Sequence, residues 1–342
     1  MRSGILANGL FTVEDASSLI ASGAVAVVAG TAPLLRRLPA GTWVGGTMRY
    51  FMTADGGSQT TDRVFVTELP VDAADVRIRS YRATELHEVV TDAPSNGFSF
   101  MVIPAESPAH LEYAARAPYY PGIFRTPIVG WIAGVNLHRL GHVVPRSMHG
   151  LDRRMATDTA VVLHASLPPG KVAHIDIVNM FKAGNGDVIT FPSDTLAARD
   201  CRVNGEPRNL AQYVTESGID TRLPLVADYA GIDVNTSFQG VDAAKGIVTF
   251  YAPVFHGIEY RLAEPVDDYA ARFAAAVAGA GVEAAFACSC ILNYVYGGLE
   301  GRKIGHLTGP MTFGEIAYQL LNQTAVYLSI VDASEPGTRQ GA

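Results

Sequence analysis

Short apolar runs separated by glycine- and proline-containing turns dominate this chain, and many of the runs do not alternate with polar residues. Residues 24–29 read Ala-Val-Ala-Val-Val-Ala, and residues 128–135 are nearly all apolar. Runs of this length and composition predict strands that are covered on both faces of a sheet. Further strands are predicted over 42–48, 63–69, 75–81, 97–103, 159–166, 174–181, 188–191, 223–226, 246–255, 283–290 and 327–331.

Helices are predicted between several of these strands. The first covers residues 12–22, where Thr12 can cap the helix and two acidic residues occupy the first turn. The longest signal covers 266–279, because Tyr269, Phe273 and Val277 are spaced four apart on one face. Other predicted helices are 31–38, 108–116 and 210–217. The alternation of helices and buried strands predicts an α/β fold of mixed α+β type.

The chain has 342 residues, which is long for a single core. A similar succession of predicted helices and strands occurs in its first and second halves. We therefore predict two similar halves, 1–150 and 151–334, each a mixed β-sheet flanked by helices. The boundary is placed in the positively charged stretch 145–158. Residues 335–342 are predicted to form a flexible tail.

Composition narrows the class of protein. Hydrophobic residues make up 48% of the chain and charged residues 17%, which is typical of a well-packed globular protein. The formal charge is −7 and no block of basic residues occurs, so nucleic acid is not an expected partner. No signal peptide and no apolar stretch of membrane-spanning length is evident. Three cysteines do not suggest a disulfide framework, and a cytoplasmic location is expected.

Residues 43–52 form the first candidate ligand-binding segment. Gly45 and Gly46 lack a Cβ, so a ligand or another backbone can approach them closely. Trp43 precedes them, and Arg49 and Tyr50 can donate hydrogen bonds to an anionic or carbonyl group. The structural alternative is a bulged strand whose aromatic side chains lie in the core.

Residues 127–138 form a second candidate segment, which contains Trp131 between two glycines. His138 and His142 follow, spaced four apart, as metal ligands on a helix would be. Because the composition does not favour a long helix and no HExxH motif is present, no metal is predicted. The motifs GxGxxG, GxxxxGK[ST] and GxSxG are also absent, and no cofactor is predicted.

Residues 284–330 are the most informative part of the chain. A small-residue run ends at Cys288-Ser-Cys290, and a glycine-rich segment follows. Next come Gly-Pro-Met-Thr-Phe-Gly-Glu315-Ile and then Asn-Gln-Thr at 322–324, which leads into the last strand. This order resembles the C-terminal part of FIST domains, the ligand-sensing modules of bacterial signalling proteins that also occur in some F-box proteins.

Small residues in 43–51, 128–135 and 288–293 leave volume, so a ligand pocket is predicted between the halves, lined by parts of these three segments. Cys288 and Cys290 share a face of their strand, either as pocket thiols or as small buried hydrophobes. FIST relatives have Asn-Gly-Arg after this cysteine, whereas this chain has Ile-Leu-Asn293, so that arginine has no counterpart. In FIST domains the Gly-Glu that corresponds to Glu315 and the glycine before it precedes a turn near the ligand cavity. Glu315 is therefore either a residue that accepts a hydrogen bond from a cationic or amine group of the ligand, or one that caps a turn or pairs on the surface.

The resemblance further implies a stand-alone sensory protein that binds a small molecule and passes its signal to a separate partner. A homodimer is compatible with this interpretation. One alternative is an enzyme on the same scaffold that uses a pocket cysteine. Another is a haem-binding gas sensor, because some FIST-containing sensors bind haem through a histidine.

Overall fold

The computed structural model describes residues 6–229, 232–281 and 283–333. Four of its α-helices begin at a residue whose side chain caps them: Thr12 accepts a hydrogen bond from the Asp15 nitrogen at 3.1 Å, and Ser107, Asn209 and Asp268 play the same role for later helices. The five predicted helices are confirmed. In chain order the helices are α1 Val13–Ala21, α2 Ala32–Leu35, α3 Glu88–Asp92, α4 Pro108–Arg116, α5 Leu210–Glu216, α6 Tyr269–Val277 and α7 Ile291–Tyr296.

The strands account for most of the regular structure, and every strand predicted from the sequence is present. Those up to residue 179 are β1 Asn8–Phe11, β2 Ala26–Gly30, β3 Trp43–Thr47, β4 Tyr50–Thr53, β5 Gly56–Gln59, β6 Val64–Glu68, β7 Val76–Tyr81, β8 Gly97–Pro104, β9 Ile128–Ala133, β10 Ser147–His149, β11 Arg154–Ala156, β12 Ala160–Ser166 and β13 Lys171–Asn179. The rest are β14 Ile189–Thr190, β15 Thr195–Ala198, β16 Asp200–Val203, β17 Glu206–Asn209, β18 Leu225–Asp228, β19 Asp233–Thr236, β20 Phe238–Asp242, β21 Ile247–Val254, β22 Tyr260–Leu262, β23 Phe286–Cys290, β24 Gly309–Thr312, β25 Glu315–Ala317, β26 Gln319–Leu321 and β27 Thr324–Asp332.

Three six-stranded sheets form the main body. Their strand orders are β1-β6-β2-β3-β10-β11, β26-β25-β9-β8-β12-β7 and β13-β27-β23-β24-β4-β5. The pairs β2–β3, β8–β9 and β23–β24 are parallel, and each is joined by a connection that contains a helix. A parallel pair needs such a crossover, whereas antiparallel neighbours can be joined by a short turn. The mixed α+β fold class is confirmed.

The first of these sheets is buried on both faces. Val27 and Ala29 of β2 face the large core shared by the three sheets, and the alternate residues Ala26 and Val28 pack under α1 and α2. Because successive strand residues point to opposite faces, an uninterrupted apolar run is what such a position requires.

Residues 189–262 build a separate module with its own core. It holds the sheet β17-β16-β14-β22-β18-β19, the sheet β15-β21-β20 and helix α5. Its inward side chains form a cluster of their own that includes Phe191, Phe250 and Tyr260. On its inner face Leu223, Val226 and Ala252 belong instead to the core of the main body.

The predicted boundary at residue 150 does not coincide with a break between sheets. Strand β12 lies between β7 and β8, β25 pairs with β9, and β24 pairs with β4. Strands from the two predicted halves therefore share sheets and a common core. The predicted tail 335–342 lies outside the described residues. Within the described ranges, no helix is long and apolar enough to cross a membrane.

Candidate functional site

A cavity of about 420 Å³ opens beside the carboxyl ends of β2, β3 and β9. Thr31 follows β2, Arg49 lies in the link after β3, and Gly134 follows β9. Ligands of α/β proteins commonly bind in the crevice outside the carboxyl ends of parallel strands. We call this cavity the arginine pocket, because its polar lining includes Arg49, Arg139 and Arg146.

Hydrogen bonds of the Thr47 backbone and side chain hold the walls of the arginine pocket together. The Gly134 nitrogen donates to the Thr47 oxygen at 2.8 Å, and the Thr47 nitrogen donates to the Arg146 oxygen at 2.9 Å. The Arg146 nitrogen in turn donates to the Thr47 Oγ1 at 2.9 Å. These bonds fix the backbone of Arg146, which lies over a hundred positions after β2 in the sequence, against the end of β3.

Positive charge is concentrated in this pocket without a compensating carboxylate. Arg49, Arg139 and Arg146 line it, whereas no aspartate or glutamate does. None of the three arginines belongs to an ion pair in the described part of the chain. The Nε of Arg49 is buried and has no hydrogen-bond partner. A buried donor of this kind is costly unless a partner satisfies it, so the pocket is suited to an anion.

Four of the predicted site residues lie in packed parts of the first and second sheets. Trp43 is fully buried and its Nε1 donates to the Pro39 oxygen at 3.0 Å. A Cβ on Gly45 would lie 2.2 Å from the Val28 oxygen, and one on Gly46 would lie 2.6 Å from the Val102 side chain. The close approach predicted at these glycines is therefore to the paired strand β2 and, across the core, to β8 of the second sheet. Trp131 is buried and stacks on Phe286, with ring centroids 5.8 Å apart.

The three segments predicted to line one cavity are in contact with each other. Segment 128–135 joins the other two: the Gly134 nitrogen donates to the Thr47 oxygen at 2.8 Å, and the Cys288 Sγ lies 3.7 Å from the Gly130 oxygen. Tyr294, which directly follows 288–293, meets the Tyr50 ring edge to face at 5.7 Å. Of these segments, only Thr47–Arg49 and Gly134–Val135 reach the arginine pocket. Cys288, Cys290 and Asn293 are buried away from it.

Cys290 ends β23 and occupies the N-cap position of α7, the short helix that directly follows it, without a capping hydrogen bond from its side chain. Burial raises the pKa of both Cys288 and Cys290 well above the ordinary thiol value, and the charge of nearby Glu315 raises it further. Both side chains are therefore thiols at neutral pH. A nucleophilic cysteine requires the thiolate, so this environment does not activate either one.

Glu315 is fully buried at the centre of a polar network. Its Oε1 lies 3.0 Å from the Thr312 Oγ1, and its Oε2 lies 2.8 Å from the Thr324 Oγ1. Burial raises the pKa of Glu315 to about 8, although the hydrogen bonds from Thr324 and Thr312 act in the opposite direction. The Thr312 hydroxyl also lies 3.1 Å from the Gly314 oxygen, so it can donate there and accept from a protonated Glu315.

Asn293 extends this network. Its Nδ2 donates to the Ser289 Oγ at 3.0 Å and to the Thr324 oxygen at 3.1 Å. Its Oδ1 accepts a hydrogen bond from the Tyr269 hydroxyl at 2.7 Å. All of these groups satisfy one another, which is how a buried polar network stabilises one arrangement of the core. Asn293 and Glu315 thus have local partners in this structure.

The histidine pair of the sequence does not share a helix. His138 lies in a single turn of 3₁₀ helix, Leu137–Arg139, and His142 lies in the loop beyond it. His142 contributes instead to the arginine pocket. No group of three or more histidine, cysteine, aspartate or glutamate side chains is placed to hold a metal ion within the described residues.

Sequence reasoning did not single out Arg139 and Arg146. The available signal was charge: Arg139 follows His138, and Arg146 begins the basic stretch that was interpreted as a boundary. Only the pairing of β3 with β10 brings Arg146 next to residue 47.

Comparison with known proteins places most of the chain in a described family. The model of a protein family described as “Family of unknown function (DUF6976)” matches residues 11–331. No curated protein and no solved structure matches the chain.

Proposed function

We propose that this chain, which belongs to the DUF6976 family of unknown function, is a small-molecule-binding protein whose arginine pocket takes a small organic anion. One observation carries the proposal: Arg49 presents a buried Nε without a partner beside a cavity that two further arginines line and no carboxylate does. The volume of about 420 Å³ lies in the range of sites for small ligands.

The chemistry of the pocket favours a carboxylate or a phosphate group. A guanidinium has a planar fork of donors that matches the oxygens of either group, and it keeps its charge at any ordinary pH. Charge-assisted hydrogen bonds of this kind are about twice as strong as neutral ones. Val135, Val143 and Val144 also line the cavity, and they are suited to the apolar part of an organic anion.

The proposal includes a sensory role in the cytoplasm with a separate signalling partner, as in FIST-like proteins. Its support is the order of the C-terminal motifs from Cys288 to Thr324 and a pocket that contains Arg49. The enzyme alternative requires an activated cysteine, and the thiol state of Cys288 and Cys290 gives it no support. The haem alternative predicts a Soret band in the purified protein.

Binding of inorganic phosphate and of citrate, measured by isothermal titration calorimetry, tests the proposal. The two probes separate phosphate from carboxylate recognition. Replacing Arg49 with glutamine should weaken the preferred anion roughly ten- to a hundred-fold, because a hydrogen bond to a charged group is lost. Affinity should also fall as the salt concentration rises.

Arg125→Gln is the matched control, because Arg125 is exposed and lies outside the pocket. It should leave the affinity unchanged. Mass spectrometry of metabolites that co-purify with the wild type, but not with Arg49→Gln, would then identify the natural anion. Equal anion affinities of wild type and Arg49→Gln would overturn the proposal.

A further inference from the structure

A second cavity, of about 310 Å³, lies where the 189–262 module meets the main body. The main body contributes Glu106, His110 and Phe313, and the module contributes Leu196, Phe250 and Tyr251. We call it the module cavity. Ligand sites occur preferentially at boundaries between such units, and this volume is at the lower end of their range.

His110 is the polar side chain that distinguishes this cavity. It is 9% exposed, and its Nε2 is buried without a hydrogen-bond partner. The backbone nitrogen of Glu106 donates to the His110 Nδ1 at 3.2 Å. Because Nδ1 accepts this bond, the proton of the neutral ring is assigned to Nε2. Burial lowers the pKa of His110 to about 4, so the neutral ring is the form present at pH 7.

The turn that holds His110 has an unusual backbone. Glu106 lies between β8 and α4 and has φ 61°, in the left-handed region that residues other than glycine seldom adopt. Backbone strain of this kind is concentrated at functional sites. Here it directs the Glu106 nitrogen at the imidazole, and the turn follows the carboxyl end of the parallel strand β8.

The remaining walls are mainly apolar. Leu111, Leu140, Leu196, Phe250 and Phe313 line the module cavity. Burial raises the pKa of Tyr251 to about 12, so its hydroxyl is uncharged at neutral pH. Glu106 provides the negative charge at the exposed side, and no arginine or lysine lines the cavity. A carboxylate or phosphate would meet no cation here, in contrast to the arginine pocket.

We propose that the module cavity binds an uncharged, ring-sized molecule with an acceptor oxygen, such as an aryl ketone, whose oxygen accepts a hydrogen bond from His110. The apolar walls take the ring, and the oxygen satisfies the unpartnered Nε2. This second site is separate from the anion site and does not depend on the proposed function.

Three probes of similar size test the proposal by NMR titration: acetophenone, ethylbenzene and benzoate. Acetophenone should bind roughly five-fold more tightly than ethylbenzene, which lacks the oxygen. Benzoate should bind more weakly than acetophenone at this site, because a charge would be desolvated without a partner. The ring ¹⁵N signals of His110 should shift when acetophenone is added. Equal binding of acetophenone and ethylbenzene, or an unshifted His110 signal at saturation, would overturn the proposal.

Two variants locate the site. In His110→Phe the preference for acetophenone over ethylbenzene should disappear while ethylbenzene still binds. Leu196→Trp should fill the cavity and abolish binding of both, whereas Leu151→Trp, at an exposed leucine outside the cavity, should bind both as the wild type does. Unchanged acetophenone affinity in Leu196→Trp would contradict the proposal. If His110→Phe does not fold, the proposal is tested by the shift of the His110 ring ¹⁵N signals in the wild type and by the binding of both probes to Leu196→Trp.

Discussion

The Tyr50 hydroxyl accepts a hydrogen bond from the backbone nitrogen of Leu137 at 3.1 Å. The bond joins the start of β4 to the short 3₁₀ turn Leu137–Arg139, which carries one wall of the arginine pocket. Tyr50 is itself buried against Tyr294. A residue predicted to contact the ligand therefore supports the segment that positions Arg139.

Replacing Tyr50 with phenylalanine should weaken anion binding several-fold and lower the free energy of unfolding by about 1 kcal/mol, because one hydrogen bond is lost. Calorimetric titration with the preferred anion and urea unfolding measure the two effects. Tyr119→Phe, at a tyrosine that is 61% exposed, is the control and should change neither. Unaltered affinity in Tyr50→Phe would show that this bond does not position the pocket.

The buried Glu315 should make stability depend on pH. Its pKa in the folded state is about 8, above its value of 4.5 in the absence of burial, so the folded protein retains a proton that the unfolded chain releases. Stability is then greatest below pH 4.5 as far as this group is concerned. It falls by roughly 1.4 kcal/mol per pH unit at most as the pH rises towards 8.

Glu315→Gln should remove this contribution, because an amide resembles the protonated carboxyl and does not titrate. Denaturant unfolding between pH 5 and 9 should show that the free energy of unfolding of Glu315→Gln increases relative to that of the wild type as the pH rises. Glu206→Gln, at an exposed strand position, is the control. The dependence of its free energy of unfolding on pH should be the same as in the wild type. Parallel stability curves for Glu315→Gln and the wild type would exclude a buried titrating carboxyl.

The cysteines should behave as core residues. Cys201, Cys288 and Cys290 are all buried, and burial raises the pKa of the Cys201 thiol to about 11. Ellman's reagent should therefore react slowly with the native protein and rapidly with all three thiols in guanidinium chloride. A thiol that reacts at once in the native protein would contradict this.

Single replacements of Cys288 and Cys290 by serine should lower stability by about 1–3 kcal/mol, since each places a hydroxyl in a buried site. Anion affinity should be unchanged in both, because neither residue lines the arginine pocket. Melting curves and calorimetric titration of the two variants make the comparison. A loss of anion affinity in Cys290→Ser alone would restore this cysteine as a ligand-binding residue.

Gly130 should not tolerate a side chain. A Cβ at this position would lie 1.8 Å from the Met101 backbone oxygen on the paired strand. Gly130→Ala should therefore destabilise the protein by several kcal/mol or prevent folding, because backbone rather than a movable side chain blocks the space. A Cβ on Gly186 would have no atom within 4 Å, so Gly186→Ala should leave the stability nearly unchanged. Circular dichroism melts compare the two, and similar melting temperatures would refute the expected clash.

The helices and long strands follow from local properties of the chain. Thr12 and Asp268 cap α1 and α6, and the apolar runs of β2, β9 and β23 require cover on both faces wherever they are placed. Short elements such as α7 and β24–β26 were not predicted, because so few residues give no period and tertiary contacts decide their conformation.

Local pattern thus determined which segments are buried, where the main helices begin and that a fold of mixed α+β type results. Tertiary structure decided which segments meet. Strands from both predicted halves pair in common sheets, and Arg49, Arg139 and Arg146 converge only through the pairing of β3 with β10 and the Tyr50 bond to Leu137. The physical reason is that periodicity and capping act over a few residues, whereas a pocket forms between residues far apart in the chain, whose contacts are set by how the sheets pack.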